Sequence, residues 1–246
     1  MSKKDFMQEL AQTKVGVVVN RDYRTARIFS AYGIDFCCKG GITVAEACKN
    51  LQLSEVEVLA KLGEQLRQDE NNDPDASLKA FSFSQLTAYI HEQHHRYIRE
   101  TAPIVEAYLL KIANVHGGRH PELVPIFTTF RSMHQALLAH LEKEERILFP
   151  RLVALETALS TAELIHASGV LAPILAMEDE HSIEGERLRE LRRMSDNFTA
   201  PADGCQTYQV AFKMLAEFEA DLHRHIHLEN NVLFARARSV VREAMV

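Results

Sequence analysis

The chain is poor in the residues that interrupt regular secondary structure. It has 10 glycines and 7 prolines among 246 residues, about 7% against a usual value of about 12%. So few turn-forming residues favour long helices joined by few connections. No apolar run approaches the roughly 18 residues that a membrane-spanning helix needs, and the opening MSKKDFMQEL lacks the apolar segment of a secretory signal. We therefore expect neither a transmembrane segment nor a secretory signal.

Positive charge and cysteine are also scarce. The 28 Lys and Arg residues are outnumbered by 34 Asp and Glu residues, which gives a net charge of −6. This balance gives no support for binding to nucleic acid or to an anionic membrane surface. The four cysteines, two of them adjacent, do not form a disulfide framework. A reducing compartment follows, and we expect a cytoplasmic protein.

Residues 1–66 have the pattern of a small helical domain. Thr43 with Glu46 and Ser54 with Glu57 are two capping-box signatures. In each, a hydroxyl oxygen caps the start of a helix and a carboxylate follows three residues later. Each pair therefore predicts the first turn of a helix.

Irregular segments interrupt and follow this domain. The sequence YGIDFCCKGG, residues 32–41, contains glycines that allow a positive φ, and it predicts a tight loop. Residues 67–82 are polar, lack periodicity and contain Pro74, so we interpret them as a linker between domains. The short apolar run Val15–Val19 is interpreted as the end of a helix or a loop.

From residue 83 to residue 246 the pattern is long and helical. Apolar residues recur at helical spacing in four segments, and Gly117 and Gly118 end the first of them. Helices of this length with short connections predict an antiparallel bundle. The predicted fold class is all-α, a four-helix bundle preceded by a small helical domain. The bundle helices are expected at about 84–114, from 121 to 150 or a little beyond, 172–194 and 206–238.

Histidine is abundant, with 12 residues, and two of them open a repeated motif. HLEKEERILF at 140–149 and HIHLENNVLF at 225–234 share the form H-x-x-x-E-x-x-[IV]-L-F. Four residues of an α-helix turn through about 400°, so the histidine and the glutamate lie on one face. One such pair is expected by chance, whereas two copies with the same apolar tail would be a rare coincidence.

Two more histidines extend the repeat. His95 precedes His140 by 45 residues, and His181 precedes His225 by 44, as expected of a duplicated helix pair. Two inward glutamates without a cation would cost several kcal/mol, which argues against a purely structural role. The predicted metal ligands are His95, His140, Glu144, His181, His225 and Glu229.

This ligand set suits a pair of iron ions. If both glutamates bridge, each ion receives two imidazoles and two carboxylate oxygens. A bridging oxide or hydroxide would add a fifth ligand and leave one position per ion for solvent or a diatomic molecule. Mixed nitrogen and oxygen ligation favours iron. The site has fewer carboxylates than ferritin-like centres, so we expect it to hold oxidised iron less tightly.

The other histidines fit the pattern less well. His91 and His94 share a helix with His95, and His91 lies one turn away on the same face. His116 follows His95 by 21 residues, about 31 Å along a continuous helix, so we interpret it as a helix-capping residue. No ligand role is predicted for the rest, namely His120, His134, His166, His223 and His227.

Four motifs together resemble the repair-of-iron-centres family, the Ric or ScdA-type di-iron proteins. They are DFCCKGG at 35–41, HLEKEERILFP at 140–150, MEDEH at 177–181 and HIHLENNVLF at 225–234. The resemblance spans nearly the whole chain and implies a hemerythrin-like four-helix bundle after a cysteine-bearing N-terminal domain. By this resemblance His95, His140, His181 and His225 bind two irons, and Glu144 and Glu229 bridge them.

The same resemblance implies a function. Family members restore iron–sulfur clusters damaged by nitric oxide or peroxide, and donation of iron is the expected route. Iron–sulfur proteins would then be the partners. His116 aligns with a family histidine, although its distance from His95 argues against a ligand role. The stretch at about 154–170 is longer than the usual family spacing, which affects the entrance of the site rather than its ligands.

Cys37 and Cys38 have two interpretations. They are either small buried residues of a glycine-rich turn or exposed redox-active thiols, near Lys39, that contact the iron or a client protein. A disulfide between neighbours would be strained. Cys48 and Cys205 have no partner at a suggestive spacing and are interpreted as structural.

Two other functions are compatible with the same predicted site. One is a sensor or reversible carrier of O₂ or NO, and the other is an enzyme that reduces NO at the two irons. The Cys-Cys unit argues against simple carriage, because a carrier does not need it. A homodimer is compatible with the sequence.

Overall fold

The computed structural model describes residues 3–67, 73, 75–161 and 169–244. Over these ranges the protein is all-α, which confirms the predicted fold class. The extended pairing in the described ranges is limited to one isolated antiparallel bridge, between Lys14 and Thr43. Within the same ranges no helix has both the length and the apolar character needed to cross a bilayer.

The chain divides into two compact units. The first consists of Met1–Ser82 with Ile226–Arg242, and the second of Phe83–His225 with Glu243–Val246. The first unit thus contains the region predicted as a linker, and it also takes in the C-terminal part of the last helix. That second contribution could not be predicted, because the helical pattern of the last segment continues through residue 226 without a break.

The described N-terminal part of the first unit is built from short helices. Its core consists of apolar side chains that are fully buried, among them Val15, Phe29 and Leu62. The apolar run at Val15–Val19 forms the start of a helix, rather than the end of a helix or a loop. The helices are α1 (Lys3–Gln12), α2 (Val15–Arg21), α3 (Ala26–Ala31), α4 (Val44–Asn50) and α5 (Glu55–Gln65), with 3₁₀ turns at Tyr23–Thr25 and Ala76–Ala80.

One of the two predicted capping boxes is formed. The Glu46 amide donates to Thr43 Oγ1 over 3.1 Å, and the Thr43 amide donates to Glu46 Oε2 over 2.8 Å. Ser54 occupies the N-cap of α5, but its side chain makes no capping hydrogen bond. The second capping-box prediction is therefore wrong, although α5 begins at the expected place.

The described part of the predicted linker, residues 67–82, packs onto the first unit. Lys79 Nζ donates to the backbone carbonyl of Arg21 over 2.6 Å and to Asp73 Oδ2 over 2.8 Å. Asp73 Oδ1 accepts from the Tyr23 amide over 3.1 Å, and Leu78 is buried. These contacts fix residues 73 and 75–82 in place, while residues 68–72 and Pro74 lie outside the described ranges.

The second unit is built on long helices that match the predicted bundle segments. α6 comprises Phe83–Ile90, a π-helical turn at His91–His95 and Arg96–His116. α7 comprises Leu123–Lys143, a π-helical turn at Glu144–Leu148 and Phe149–Thr161. α8 is Leu171–Met194. α9 comprises Gln206–His227, a π-helical turn at Leu228–Leu233 and Phe234–Ala244, and its residues Ile226–Arg242 belong to the first unit.

α7 extends well past residue 150, so the first part of the long stretch at about 154–170 is helical. Residues 162–168, which include His166, lie outside the described ranges. The end of α9 also lies six residues beyond the predicted residue 238.

The three π-helical turns coincide with predicted ligands. His95, Glu144 and Glu229 each lie in one of them. A π turn holds an extra residue within an α-helix and is frequently found at functional sites. The three turns therefore support a functional role for His95, Glu144 and Glu229.

Candidate metal centre

The six predicted ligands form two overlapping groups. One consists of His95, Glu144, His225 and Glu229, and the other of His140, Glu144, His181 and Glu229. In each group one ligand atom per residue lies within 4.8 Å of all the others. All six side chains are buried, and Glu144 and Glu229 are completely inaccessible to solvent. The two carboxylates that belong to both groups are the two that the family resemblance implies as bridges.

Glu144 lies directly between two of the histidines. Its Oε2 atom is 3.3 Å from His95 Nε2 and 3.4 Å from His140 Nε2. His140 is four residues earlier on α7, as the H-x-x-x-E spacing predicts, whereas His95 reaches Glu144 from α6. One carboxylate can therefore serve donor groups on two different helices.

The rings of His140 and His181 meet at their Nε2 atoms, which are 3.1 Å apart. Both residues are buried. A direct hydrogen bond requires one of the two nitrogens to carry a proton, whereas two unprotonated nitrogens would both direct a lone pair at this point. A cation at this point would accept both lone pairs. This geometry, with mixed imidazole and carboxylate donors, fits a first-row transition metal such as iron.

The outer nitrogen of His95 is held by a carboxylate. His95 Nδ1 lies 2.7 Å from Glu145 Oε1, and Arg99 pairs with both oxygens of Glu145 over 2.8 and 2.9 Å. Burial raises the pKa of Glu145, but hydrogen bonds from Arg99 and His95 outweigh it, so the pKa is lowered. The ionised Glu145 carboxylate accepts a hydrogen bond from a protonated Nδ1 of His95. The lone pair of His95 Nε2 is then directed at the interior.

The same arrangement recurs at His140. Its Nδ1 atom lies 2.9 Å from Glu180 Oε2, and Lys143 Nζ donates to Glu180 Oε1 over 2.5 Å. The hydrogen bond with His140, together with the interaction with Lys143, outweighs the opposing effect of burial and lowers the pKa of Glu180 to about 2. Two of the four predicted histidine ligands, His95 and His140, are thus each oriented by a carboxylate that pairs with an Arg or Lys side chain at the surface.

Sequence reasoning missed both of these carboxylates. Glu145 directly follows Glu144, and Glu180 directly precedes His181. Each stands next to a predicted ligand, so adjacency was the available signal. Their actual partners lie 50 and 40 residues away in the chain, which only the packing of the helices decides.

His94 and His91 take supporting positions. The ring of His94 stacks on that of His225 with centroids 5.5 Å apart and an interplanar angle of 3°, and its Nδ1 lies 3.0 Å from Asp221 Oδ1. His91 is half exposed, with Nε2 3.6 Å from Glu145 Oε1. Neither belongs to the two ligand groups. The matched 45- and 44-residue intervals favour His95 among these three.

Cys37 and Cys38 lie in the first unit. Cys37 is buried and Cys38 half-buried, with their Sγ atoms 3.7 Å apart. The contact with Cys38, together with burial, raises the pKa of Cys37 well above the ordinary range. Asp35 Oδ1 accepts from the Cys38 amide over 2.9 Å. The side chains of Asp35, Cys37 and Cys38 form a third group that could hold an ion.

Two asparagines of α9 hold this loop, and sequence reasoning missed them. Asn230 Nδ2 donates to the Cys37 carbonyl over 3.0 Å, and Asn231 Nδ2 donates to the Phe36 carbonyl over 3.2 Å. They directly follow Glu229 in the chain. Their signal was the polar pair inside the apolar part of HIHLENNVLF.

Among the residues that the structure describes, the remaining histidines and cysteines belong to neither of the two ligand groups. Cys48 is buried, as expected of a structural residue, whereas Cys205 is exposed, so the structural role of Cys205 stays a prediction. Cys205 Sγ lies 3.2 Å from Nε2 of His116, which is the last residue of α6. His120 and His134 pair with carboxylates: His120 with Glu122 and Asp203, and His134 with Glu106.

Comparison with known proteins matches both parts of the chain to protein families. Residues 85–237 match the hemerythrin HHE cation-binding domain. Residues 11–66 match the ScdA N-terminal domain, which is described as a domain of unknown function. The long helices and the paired histidine and glutamate clusters therefore belong to a hemerythrin-type cation-binding protein.

Curated relatives share most of their length with this chain. The iron–sulfur cluster repair protein ScdA of Staphylococcus haemolyticus is 31% identical over 85% of this chain and 90% of its own. The iron–sulfur cluster repair protein YtfE of Escherichia coli is 33% identical over 87% of this chain and 91% of its own. The YtfE of Edwardsiella ictaluri is 32% identical, with coverages of 87% and 91%. The chain belongs to the family of iron–sulfur cluster repair proteins.

Proposed function

We propose that the two ligand groups hold a pair of iron ions and that the protein supplies this iron to iron–sulfur proteins whose clusters have been damaged. The main support is that both groups contain Glu144 and Glu229. Two separate metal sites would not need common carboxylates, whereas a pair of bridged ions does. The relatives' names, as iron–sulfur cluster repair proteins, support the repair role.

The charge of the site supports donation rather than storage. Each ion would receive two neutral imidazoles and a share of only two carboxylates. Ferritin-like sites use more carboxylates and therefore compensate more of the charge of oxidised iron. Iron held here would leave more readily. Glu145 and Glu180 are each paired with a cation, so they add little further negative charge.

Metal analysis tests the ligand set. We expect two irons per chain in the wild-type protein loaded anaerobically with ferrous iron. Glu144→Leu and Glu229→Leu should each lose at least one iron, because either change removes a shared carboxylate. Glu142→Leu is the matched control, since Glu142 is exposed on the same helix and pairs only with Arg146 in the described contacts. Full occupancy in either bridging variant would show that the ligand set is wrong.

A repair assay tests the function. The iron-loaded protein is mixed with a hydratase whose iron–sulfur cluster has been degraded by nitric oxide, and enzyme activity and bound iron are followed together. We expect activity to return while this protein loses iron. Turnover of nitric oxide without loss of iron would favour an NO-reducing enzyme. Reversible binding of NO or O₂ without either outcome would favour a sensor or carrier.

The two vicinal cysteines, Cys37 and Cys38, are proposed to have different roles. We propose Cys38 as the thiol that meets client proteins or leaving iron, because Cys37 is buried and its pKa is raised. A Cys38→Ser variant should keep its iron but restore client activity more slowly. The proposed location is the cytoplasm, where most iron–sulfur enzymes would be within reach. Formation of a homodimer is tested by analytical sedimentation.

A further inference from the structure

A second cluster of reactive side chains lies in the second unit, outside the two ligand groups. Cys205 directly precedes α9 and is exposed. His116 ends the first bundle helix, α6, and is only 6% exposed. The distance between Cys205 Sγ and His116 Nε2 is 3.2 Å, within the range of a hydrogen bond to sulfur. A buried imidazole therefore points its nitrogen at an accessible thiol.

The surroundings hold the imidazole in this orientation. The ring of Tyr208 packs edge-on against His116 with centroids 5.7 Å apart. His116 Nδ1 is buried and makes no hydrogen bond to any described residue. The Nε2 atom is thus the one ring nitrogen of His116 with a described partner, and that partner is the thiol.

The charged and titratable groups on this end of the bundle come from three segments. His120 pairs with Asp203 over 3.0 Å and with Glu122 over 3.2 Å. Arg119 lies 3.4 Å from Asp203. Burial, with the nearby carboxylates, raises the pKa of Tyr208 to about 12, so Tyr208 stays neutral near pH 7. None of these groups places an unpaired negative charge next to the Cys205 thiol.

The backbone also favours the ionised form of Cys205. Hydrogen bonds from the Tyr208 amide and from His116, with a further one from the Thr207 amide, lower the pKa of Cys205 to about 7. The amides belong to the first turn of α9, where free N–H groups and the helix dipole stabilise an anion. Burial acts in the opposite direction at Cys37 and Cys48, where it contributes to raised pKa values.

We propose that Cys205 and His116 form a thiolate–imidazole pair that reacts with low-molecular-weight disulfides to give a mixed disulfide on Cys205. The Cys205 proton moves to His116 Nε2, and the thiolate attacks one sulfur of R–S–S–R. The S–S bond of the reagent breaks and a new S–S bond forms at Cys205. The second half leaves as R–S⁻ and takes the proton from His116. The net reaction exchanges one thiol for another, with no external oxidant.

This site would report the redox state of the small thiol pool. Oxidative and nitrosative conditions, which damage iron–sulfur clusters, also raise the concentration of small disulfides. Cys205 and His116 belong to neither group of the proposed metal centre. A lack of thiol reactivity at Cys205 and a lack of iron binding or cluster repair are therefore separate, distinguishable outcomes.

The test uses the full-length reduced protein and oxidised glutathione as the probe. Modification of each cysteine is followed by peptide mass spectrometry between pH 5.5 and 9.5, with and without bound iron. We expect the Cys205 rate to rise with a midpoint near pH 7, and to exceed the rate at buried Cys48 at least about tenfold at pH 7. Bound iron should leave the Cys205 rate unchanged.

A variant isolates the contribution of the imidazole. His116→Gln should slow modification of Cys205 about three- to tenfold at pH 7 and move the midpoint toward the ordinary value of about 8.5, with the wild-type rate regained at high pH. His120→Gln is the matched control and should keep the midpoint. Should His116→Gln fail to fold, the wild-type profile decides alone. A wild-type midpoint near 8.5, or a profile unaltered in His116→Gln, would overturn the proposal.

Discussion

The Nδ1 atom of His95 lies 2.7 Å from Oε1 of Glu145, and Arg99 in turn donates to that carboxylate. This contact sets which ring nitrogen faces the interior. Comparable outer hydrogen bonds to metal-binding histidines are worth about 10- to 100-fold in metal affinity. Loss of Glu145 should therefore weaken metal binding, although Glu145 is not itself one of the six predicted ligands.

We expect Glu145→Ala to weaken iron binding by about 10- to 100-fold, because His95 loses the anion that fixes its tautomer. Competition with a chromogenic iron chelator measures the change. Glu142→Ala, exposed on the same helix, should bind iron like the wild type. Equal affinities in the two variants would contradict the orienting role of Glu145.

Replacement of Glu144 should separate metal binding from stability. Glu144 is completely buried, and a carboxylate there is costly in the metal-free protein. An imidazole carries no obligatory charge, so removal of the carboxylate leaves no buried ion behind, and we expect metal-free Glu144→Leu to gain about 1–4 kcal/mol in its free energy of unfolding, measured by denaturant titration. Added ferrous iron should raise the melting temperature of the wild type but not that of the variant. A metal-free variant less stable than the wild type would refute this account.

The loop that carries the vicinal cysteines depends on one glycine. A Cβ atom at Gly40 would lie 2.6 Å from the Phe36 carbonyl oxygen and 3.0 Å from Gly16 Cα. We expect Gly40→Ala to lower the free energy of unfolding of the first unit by about 1–3 kcal/mol. Gly41→Ala is the control, because a Cβ atom at that position would have no described neighbour within 4 Å. Thermal melts that fail to distinguish the two variants would count against the packing described.

Asp73 should make the stability of the first unit depend on pH. Burial raises its pKa, but hydrogen bonds from Lys79 and from the Asp75 and Tyr23 amides outweigh it, so the pKa is lowered. A lowered folded-state pKa adds stability above the ordinary value of about 4, and this stability is lost as the pH falls through the folded-state pKa.

Asp73→Asn should therefore destabilise the first unit at pH 7 by about 1–3 kcal/mol, with a difference from wild type that shrinks below pH 4. Denaturant titrations at several pH values measure it. Glu64→Gln, exposed on α5, should show no such trend. A difference that stays constant from pH 7 to pH 3 would exclude the ionised Asp73 as its source.

The sequence could predict what depends on periodicity. The four long helices and the pairing of His140 with Glu144 follow from regular spacing, and the nearly equal intervals of 45 and 44 residues favoured His95 over its neighbours. Residues chosen by contact between helices could not be predicted. Glu180 reaches His140 across 40 residues, and His116 reaches Cys205 across 89. Ser54 shows a further limit, since a correct motif marked a helix start without forming its hydrogen bond.

The π-helical turns at His91–His95, Glu144–Leu148 and Leu228–Leu233 are three points at which a described helix can lose one residue and keep its phase. Each turn accommodates one surplus residue, so deletion of a single residue there would restore an uninterrupted α-helix and leave the later side chains close to their present faces. The change would instead fall on the predicted ligand that the turn positions, which is His95, Glu144 or Glu229. In a regular α-helical stretch the same deletion would rotate every later side chain by about 100°.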